Sequence, residues 1–236
     1  MKKSKTSVVL AGSNVDIFND QNSNIFEKNK KVKIVTHHWS SHENKGFKIY
    51  KKLDEMLTQN LWKDLIEFTY IGNTSEDYKL NNTTIIPPLA GKELADELKK
   101  HHIYITASIN EPSGNHHIEA AQCGLPILYL ESGGIPEYCY GFGVGFKENF
   151  EEKLKLIIED FDIYKEKMKD YPFNSEKMCE EFFTIFSNLV KHKNDKPSNN
   201  LGVMSYLFLF RNKLNKFMRR DILSKYKNII KSKVRT

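Results

Sequence analysis

The sequence predicts an α/β fold in which helices cover both faces of a parallel β-sheet. Two observations support this prediction. Short runs rich in β-branched and aromatic residues alternate with stretches in which apolar residues recur at helical spacing. The short runs are apolar along their whole length, which is typical of strands buried on both faces. With 39% hydrophobic residues, the chain has enough apolar surface for such a core.

The alternation begins after a polar stretch, residues 19–31, that predicts a loop. A strand is predicted at 32–39, and a helix follows at about 45–58 because its apolar residues share one face. Further strands are predicted at 65–72, 82–88, 103–108, 125–130 and 141–146. Further helices are predicted at about 91–102, 115–123, 150–169 and 175–192. This order of elements indicates a Rossmann-like domain.

The net charge of +6 is distributed unevenly along the chain. Residues 201–236 contain ten Lys or Arg residues and one Asp, a net charge of +9, whereas residues 1–200 carry −3. Since the body is close to neutral, the sequence does not favour binding to nucleic acid. The predicted divisions are a linker-like N-terminal segment, the Rossmann-like domain, a linker and a helical tail, at 1–31, 32–193, 194–200 and 201–236.

The tail is predicted to form a basic amphipathic helix, because its apolar residues recur at helical spacing beside a basic face. These apolar residues are Leu207, Phe210, Leu214, Phe217, Ile222, Tyr226, Ile229 and Ile230. Two interpretations are open. The helix packs on the body of the protein, or it lies on an anionic membrane surface through apolar burial and the attraction of its Lys and Arg residues.

Three cysteines, Cys123, Cys139 and Cys179, are odd in number and lack metal-ligand spacing, which favours a reducing compartment. The sequence shows no signal peptide, and no run reaches the roughly 18 apolar residues of a membrane-spanning helix. We therefore expect a cytoplasmic protein, held at the inner face of the membrane if the tail binds lipid.

Residues 110–137, NEPSGNHHIEAAQCGLPILYLESGGIPE, place Glu111 and Glu119 eight positions apart. An acid/base pair, a metal site and a cradle for a phosphorylated ligand all use these residue types. The segment follows a predicted strand, and open α/β sheets bind ligands beyond the carboxyl ends of their strands. Gly114 and Asn115 lie at a predicted helix start, whose free N–H groups suit a phosphate. Asn115 or Ser113 is the candidate cap residue of this helix. The cradle is favoured, and two ordinary solvated acids are the alternative.

Three histidine pairs raise the question of a zinc site: His37-His38, His101-His102 and His116-His117. Adjacent residues on a strand point to opposite faces, and no C-x2-C or H-E-x-x-H motif accompanies the pairs. We therefore predict no metal site, and we prefer His116, near the helix start, as a ligand contact. Gly133 and Gly134 predict a tight turn, with proximity to the phosphates as a second interpretation.

The same segment resembles the E-x7-E region of the family-four retaining glycosyltransferases of the GT-B class, the glycosyl transferases group 1. E-P-S-G-N-H-H-I-E-A-A-Q-C-G-L-P-I followed by S-G-G-I-P-E is similar to that family's E-G-x-G-x-x-x-x-E-A-x-A-x-G-x-P-V and G-G-I-P-E. H-H-W-S-S-H-E-N-K-G-F resembles its G-R-L-x-x-x-K-G loop, and L-A-G-S-N-V-D-I-F (10–18) resembles its interdomain stretch. The resemblance covers about residues 8–185 and implies the second, donor-binding domain of a GT-B fold.

The resemblance implies transfer of a sugar from a nucleotide diphosphate sugar to a glycan or lipid-linked acceptor with retention, without metal or other cofactor, as in polysaccharide biosynthesis. Catalytic roles are implied for Glu111, beside the donor sugar, and for Lys45, which neutralises the departing diphosphate. An ordinary surface lysine is the alternative for Lys45. Glu119 is expected to hold the ribose hydroxyls. The other implied substrate contacts are Gly114, Asn115, His116 and Gly134 near the phosphates and sugar, and Pro88, Leu89 and Ala90 against the base.

The chain departs from the family pattern in two respects. No arginine lies between His38 and Lys45, so His38 or His42 is the nearest substitute cation. The chain also begins at what resembles the interdomain stretch, so we expect an N-terminal-half subunit to supply the acceptor-binding domain. The alternatives are a truncated glycosyltransferase, a non-catalytic nucleotide-sugar-binding subunit, and a membrane-docking protein with a vestigial sugar site.

Overall fold

Six parallel strands form one sheet: β1 (Val32–His38), β2 (Ile66–Gly72), β3 (Thr84–Ile86), β4 (Ile103–Thr106), β5 (Ile127–Leu130) and β6 (Gly143–Phe146). Their spatial order is β3-β2-β1-β4-β5-β6, so the direction of winding reverses between β1 and β4. At such a reversal the connecting segments leave toward opposite sides, and a crevice opens beyond the carboxyl ends of the two strands. The predicted Rossmann-like parallel sheet is confirmed.

The computed structural model describes residues 6–23, 30–74 and 77–191. Within these residues, seven α-helices connect and cover the strands. They are α1 (Phe47–Met56), α2 (Gly91–Leu98), α3 (Asn115–Gln122), α4 (Ile135–Cys139), α5 (Phe150–Glu159), α6 (Phe161–Lys167) and α7 (Ser175–Lys191). Short 3-10 turns lie at Glu43–Lys45 and Met168–Asp170.

The sheet has a hydrophobic core on each face, because successive strand residues point to opposite sides. Ile34 and Ile105 pack on the face that α1, α5 and α6 cover. Val35 and Tyr104, one position away in each strand, pack on the face that α2, α3 and α4 cover. All four side chains are fully buried. The prediction that helices cover both faces is therefore confirmed.

Helix α4 is the main element that the sequence analysis missed. Gly133, Gly134 and Pro136 together predict a turn, and five residues are too few to show helical spacing. Pro136 is compatible with the helix because a proline in the first turn removes an N–H group that would have no helical partner. The predicted helix 150–169 is two helices that meet at Asp160, and the other elements differ from prediction by a few residues at their ends.

Part of the segment predicted to be linker-like packs on the domain. Phe18 is buried in the core beside α2 and α3. The Ala11 N–H donates to Tyr138 Oη at 3.1 Å, and Ser13 forms a parallel bridge with Asn174. These contacts tie the start of the described chain to α4 and to the start of α7.

The chain divides into two compact units, Met1–Ile185 and Phe186–Thr236. The second unit is described only over residues 186–191, the end of α7. The predicted linker 194–200 and amphipathic helix 201–236 lie outside the described residues and stay predictions. Within the part that the structure describes, no helix has the length and apolar composition needed to cross a membrane.

Candidate functional site

A cleft of about 390 Å³ opens beyond the carboxyl ends of β1 and β4, where the strand order reverses. Its walls come from the loops that follow β1, β3 and β4 and from the start of α3. Nine of the ten residues predicted from the sequence line it: Lys45, Pro88, Leu89, Ala90, Glu111, Gly114, Asn115, His116 and Glu119. The fold therefore brings together three segments that lie far apart in the sequence.

Lys45 and Glu111 form an ion pair in the cleft. Lys45 Nζ lies 2.5 Å from Glu111 Oε2. The lysine ends the 3-10 turn after β1, and the glutamate belongs to the loop after β4. The side chains are 27% and 15% exposed, so the pair is less screened by solvent than a surface salt bridge. The cleft thus holds a cation and a carboxylate side by side before any ligand binds.

Gly46 fixes the position of Lys45. Its φ of +98° is in the left-handed region, and a Cβ at this position would lie 2.5 Å from the Cβ of Ala107. The Ile109 N–H also donates to the Asn44 carbonyl oxygen at 2.7 Å. The loop after β1 is therefore fastened to the loop after β4, and only glycine allows this close approach.

The start of α3 is open toward the cleft. Gly114 is the N-cap residue, and no side chain caps the helix. The prediction that Ser113 or Asn115 caps it is wrong, because Ser113 Oγ is hydrogen-bonded to Tyr138 Oη at 2.9 Å. A Cβ on Gly114 would lie 2.5 Å from Cε1 of His116, so glycine lets this ring fold back over the helix start. The first-turn N–H groups are free to bind an anion.

His38 and His116 lie under the cleft with their rings 4.8 Å apart. His38 Nε2 is 2.7 Å from Tyr50 Oη, and His116 Nε2 is 2.9 Å from Thr106 Oγ1. Burial, followed by the neighbouring histidines and Lys45, holds the pKa of both imidazoles well below its usual value. Neutral rings supply hydrogen bonds rather than charge. Among the described residues that line the cleft, Lys45 is thus the one fixed cation.

His37 is a cleft residue that the sequence analysis named only in a histidine pair weighed for zinc, and not as a ligand-site residue. Its Nε2 atom lies 3.1 Å from Glu119 Oε2. His37 and His38 point to opposite faces of the sheet, as predicted for neighbours on a strand, and both still reach the cleft because β1 ends there. Their place at the carboxyl end of a buried strand is the signal that identifies them.

The wall opposite α3 follows β3 and the end of β1. Ala90 begins α2 as its N-cap residue, with Pro88 and Leu89 before it. Trp39 also lines the cleft, and 71% of its surface is exposed. Its carbonyl oxygen accepts a hydrogen bond from Asn73 Nδ2 at 2.6 Å, which fastens the loop after β1 to the end of β2.

Gly134 is the one predicted site residue that does not line the cleft. Its N–H donates to the Glu111 carbonyl oxygen at 2.8 Å, and a Cβ there would lie 2.3 Å from the Pro112 carbonyl oxygen. Gly134 therefore supports the loop that carries Glu111 from behind. His42, considered as a substitute cation, caps the 3-10 turn through Nδ1 and is likewise outside the cleft lining.

Neither the histidine pairs nor the acids form a metal-ligand cluster in the described part of the chain. No group of three or more His, Cys, Asp or Glu residues there is placed to hold a metal ion. Cys123 and Cys139 are buried free thiols whose pKa burial raises, to about 12 for Cys123, and Cys179 is exposed.

The chain is similar to known proteins both in sequence and in structure. The family model described as glycosyl transferases group 1 matches residues 18–175. The chain is also 26% identical over 129 residues to the phosphatidylinositol N-acetylglucosaminyltransferase gpi3 subunit of Schizosaccharomyces pombe. That match covers 50% of this chain and 27% of the relative, so the chain corresponds to only part of it.

Two solved structures share the fold. Sucrose-phosphate synthase from Thermosynechococcus elongatus matches with a TM-score of 0.60 at 16% identity, over 80% of this chain and 54% of the synthase. A glycosyltransferase from Rickettsia africae ESF-5 matches with a TM-score of 0.59 at 18% identity, over 81% of this chain and 59% of that chain. The chain thus spans little more than half the length of these neighbours, and its sheet corresponds to a domain of the GT-B type.

Proposed function

Because the chain belongs to the glycosyl transferases group 1 family, we propose that its cleft binds a nucleotide diphosphate sugar as the donor-binding half of a retaining glycosyltransferase. One observation carries the proposal. Lys45, Glu111, Glu119 and the uncapped start of α3 converge in one cleft at the reversal of strand order. This combination offers a cation, N–H donors and two carboxylate acceptors to an elongated ligand that contains both phosphates and hydroxyls.

In this proposal the diphosphate lies between Lys45 and the first-turn N–H groups of α3. Negative charge builds up on the diphosphate as the bond to the sugar breaks, and preorganised positive groups stabilise it. Glu111, already paired with Lys45, lies beside the donor sugar. The proposal assigns charge neutralisation to Lys45 and the helix start and invokes no metal ion or cofactor.

The nucleoside is proposed to lie at the other end of the cleft. Glu119 accepts hydrogen bonds from the ribose hydroxyls, since a carboxylate can accept from two vicinal hydroxyls at once. Pro88, Leu89 and Ala90 lie against the base, and His116 contacts the phosphate or sugar from the floor of the cleft. Gly134 supports the Glu111 loop, so we assign it an indirect role at the phosphates.

Titration of the purified chain with UDP-, GDP- and ADP-sugars tests this assignment. We expect saturable binding of at least one of them, weakened about tenfold or more in Glu119→Ala, because hydrogen bonds to charged groups contribute about 1.5–3 kcal/mol. Glu93→Ala is the matched control, since Glu93 is an exposed acid on α2 outside the cleft lining. Absence of binding to all three kinds of donor would contradict the proposal. Unchanged affinity in Glu119→Ala would contradict the assignment of Glu119 to the ribose hydroxyls.

The acceptor side is proposed to come from a partner chain. The S. pombe relative is by its name a subunit of a transferase, which supports a partner chain. We propose a glycan or lipid-linked acceptor. The same name favours a second candidate, a non-catalytic nucleotide-sugar-binding subunit. Transfer of radiolabelled sugar from the bound donor to an acceptor, by the chain with its co-purified partner, would exclude that second candidate.

Residues 201–236 are proposed to attach the protein to an anionic surface at the cytoplasmic face of a membrane. Their net charge of +9 and their helical spacing of apolar residues support the proposal. The full chain is expected to co-sediment with vesicles that contain phosphatidylserine and not with phosphatidylcholine vesicles. Loss of sedimentation on removal of 201–236 supports the proposal, and failure of the full chain to sediment contradicts it.

A further inference from the structure

We propose that His37 is a positioning residue that orients Glu119 and thereby makes the cleft select a ribose over a 2′-deoxyribose. The inference rests on the proposed function, because it concerns the nucleoside end of the same cleft. It adds a residue that lies outside the E-x7-E segment and that influences ligand binding only by orienting Glu119.

The contact joins two elements across the reversal of the sheet. His37 is near the carboxyl end of β1, and Glu119 lies in α3, which follows β4. The 3.1 Å separation between Nε2 and Oε2 is a hydrogen bond, and the side chains are 10% and 21% exposed. A carboxylate accepts and cannot donate, so the hydrogen lies on Nε2 of His37. The contact with Glu119 therefore determines which ring nitrogen of His37 donates.

Tyr104 holds the backbone of His37. The His37 N–H donates to Tyr104 Oη at 3.2 Å, and the same hydroxyl donates to the His37 carbonyl oxygen at 3.3 Å. The ring packs edge-on against Tyr104, with 5.5 Å between centroids, and lies 6.2 Å from the ring of His116. Its Nδ1 atom is buried without a hydrogen-bond partner among the described residues. The one polar contact that this ring makes there is to Glu119.

Glu119 keeps acceptor capacity that faces the ligand. Within the described part of the chain, its hydrogen bond is the one from His37 to Oε2, which leaves Oε1 available, and the residue lines the cleft. A carboxylate held in one orientation loses less side-chain freedom when it binds two vicinal hydroxyls. A nucleotide that lacks one of these hydroxyls leaves an acceptor unpaired, and sites of this kind discriminate strongly against such analogues.

Two substitutions separate positioning from a structural role. His37→Leu removes the donor, whereas His37→Gln keeps a terminal amide N–H that can donate to Glu119. The probes are UDP, GDP, ADP and their 2′-deoxy counterparts, and their dissociation constants are measured by calorimetry at constant pH and salt. We expect the wild-type chain to bind its preferred ribonucleotide about tenfold more tightly than the 2′-deoxy form. In His37→Leu this ratio should approach 1 through weaker ribonucleotide binding, and His37→Gln should retain most of it.

The ratio of the dissociation constant of the 2′-deoxy nucleotide to that of the ribonucleotide decides the outcome. If His37 only supports the fold, His37→Leu weakens both nucleotides alike and the ratio stays at its wild-type value, which overturns the inference. If thermal melting shows that the leucine variant does not fold, His37→Asn is measured instead, because its shorter amide cannot reach Glu119 and should also lose discrimination. Absence of nucleoside diphosphate binding to the wild-type chain would overturn the proposed function itself. Selective binding that survives in His37→Leu would overturn only the role of His37.

Discussion

Two hollows of similar volume lie at opposite ends of the sheet. The cleft at the carboxyl ends measures about 390 Å³, and a groove at the amino ends measures about 410 Å³. The groove is lined by three lysines, Lys33 at the start of β1 and Lys99 and Lys100 before β4, together with Gln21, Asn22 and Asp96. Helix α2 begins at the cleft and ends at the groove, where Lys99 is its C-cap residue, whereas the uncapped starts of α2 and α3 face the cleft. Volume alone therefore does not identify the site.

The construction of the two hollows also differs. In the cleft, half-buried acids are paired with Lys45 and His37. In the groove, Lys100 Nζ lies 2.6 Å from Glu97, its neighbour on the same surface, and Lys99 donates to Asn19 at 2.9 Å. Two contacts to carboxylates join sequence-distant segments at the cleft, whereas the distant contact of Lys99 in the groove is to a neutral amide. Fixed charged groups of this kind are what a site needs for preorganised binding. Four predictions test this contrast.

The largest expected effect is on stability at Gly46. Gly46→Ala places a Cβ against Ala107 at a positive φ and should lower the free energy of unfolding by about 3 kcal/mol. Asn22, in the groove, also has a positive φ, of 60°, and Asn22→Ala should cost about 1 kcal/mol. Urea denaturation of both variants provides the measurement. Equal losses would mean that the cleft loop is no more tightly fastened than the groove.

The second prediction concerns ligand binding. Lys45→Met should weaken nucleoside diphosphate binding by about 2 kcal/mol, roughly thirtyfold, because it removes the cation and leaves Glu111 unpaired. Lys100→Met, in the groove, is the control and should change the dissociation constant by less than about twofold, as expected for a screened charge. Calorimetric titration distinguishes the two variants. Similar losses in both would indicate a nonspecific effect of net charge.

The third prediction concerns the pH dependence of stability at each end of the sheet. Burial, then His37, lowers the pKa of His117 to about 3, and burial, then Lys33, lowers that of His102 to about 4. The unfolded chain binds these protons below about pH 6.5 and the folded chain does not, so the free energy of unfolding falls as pH decreases. The loss reaches about 1.4 kcal/mol per pH unit for each group.

Urea titrations between pH 7 and pH 5 test this dependence. The substitutions His117→Phe and His102→Phe should each reduce the dependence of the free energy of unfolding on pH. Only His102→Phe should also lose stability at pH 7, because His102 Nδ1 accepts a hydrogen bond from the Lys33 N–H at 2.9 Å. Both nitrogens of His117 are buried without a partner among the described residues. An unchanged slope in His117→Phe would show that this ring is not buried in its neutral form.

The smallest expected effect is at Thr106. Thr106→Val removes the hydroxyl that lies 2.9 Å from His116 Nε2 and leaves the ring less firmly oriented at the helix start. We expect donor affinity to fall about threefold, in line with one neutral hydrogen bond of about 0.5–1 kcal/mol. Thr69→Val, in β2 and outside the cleft lining, is the control. A larger loss than that of Lys45→Met would move the main binding contribution from the lysine to the histidine.

The residues found from the sequence are those whose signal is local. Glu111, Gly114 and Glu119 lie within nine positions of each other, and Lys45 is followed by the glycine that its loop requires. His37 escaped prediction because its partner Glu119 is 82 positions away, and no sequence spacing reports that distance. The cap of α3 was mispredicted for a similar reason. The Ser113 hydroxyl is hydrogen-bonded to Tyr138, which lies in a helix too short to predict from the sequence.

The sequence by itself determined the parallel α/β fold and the family, because strand composition, helical spacing and the glutamate segment are each encoded over a few tens of residues. It also determined that the two glutamates lie on either side of a helix start. Only the tertiary structure decided their partners. Lys45 pairs with one and His37 with the other because the reversal of strand order places β1 beside β4, and that adjacency is a property of the folded sheet.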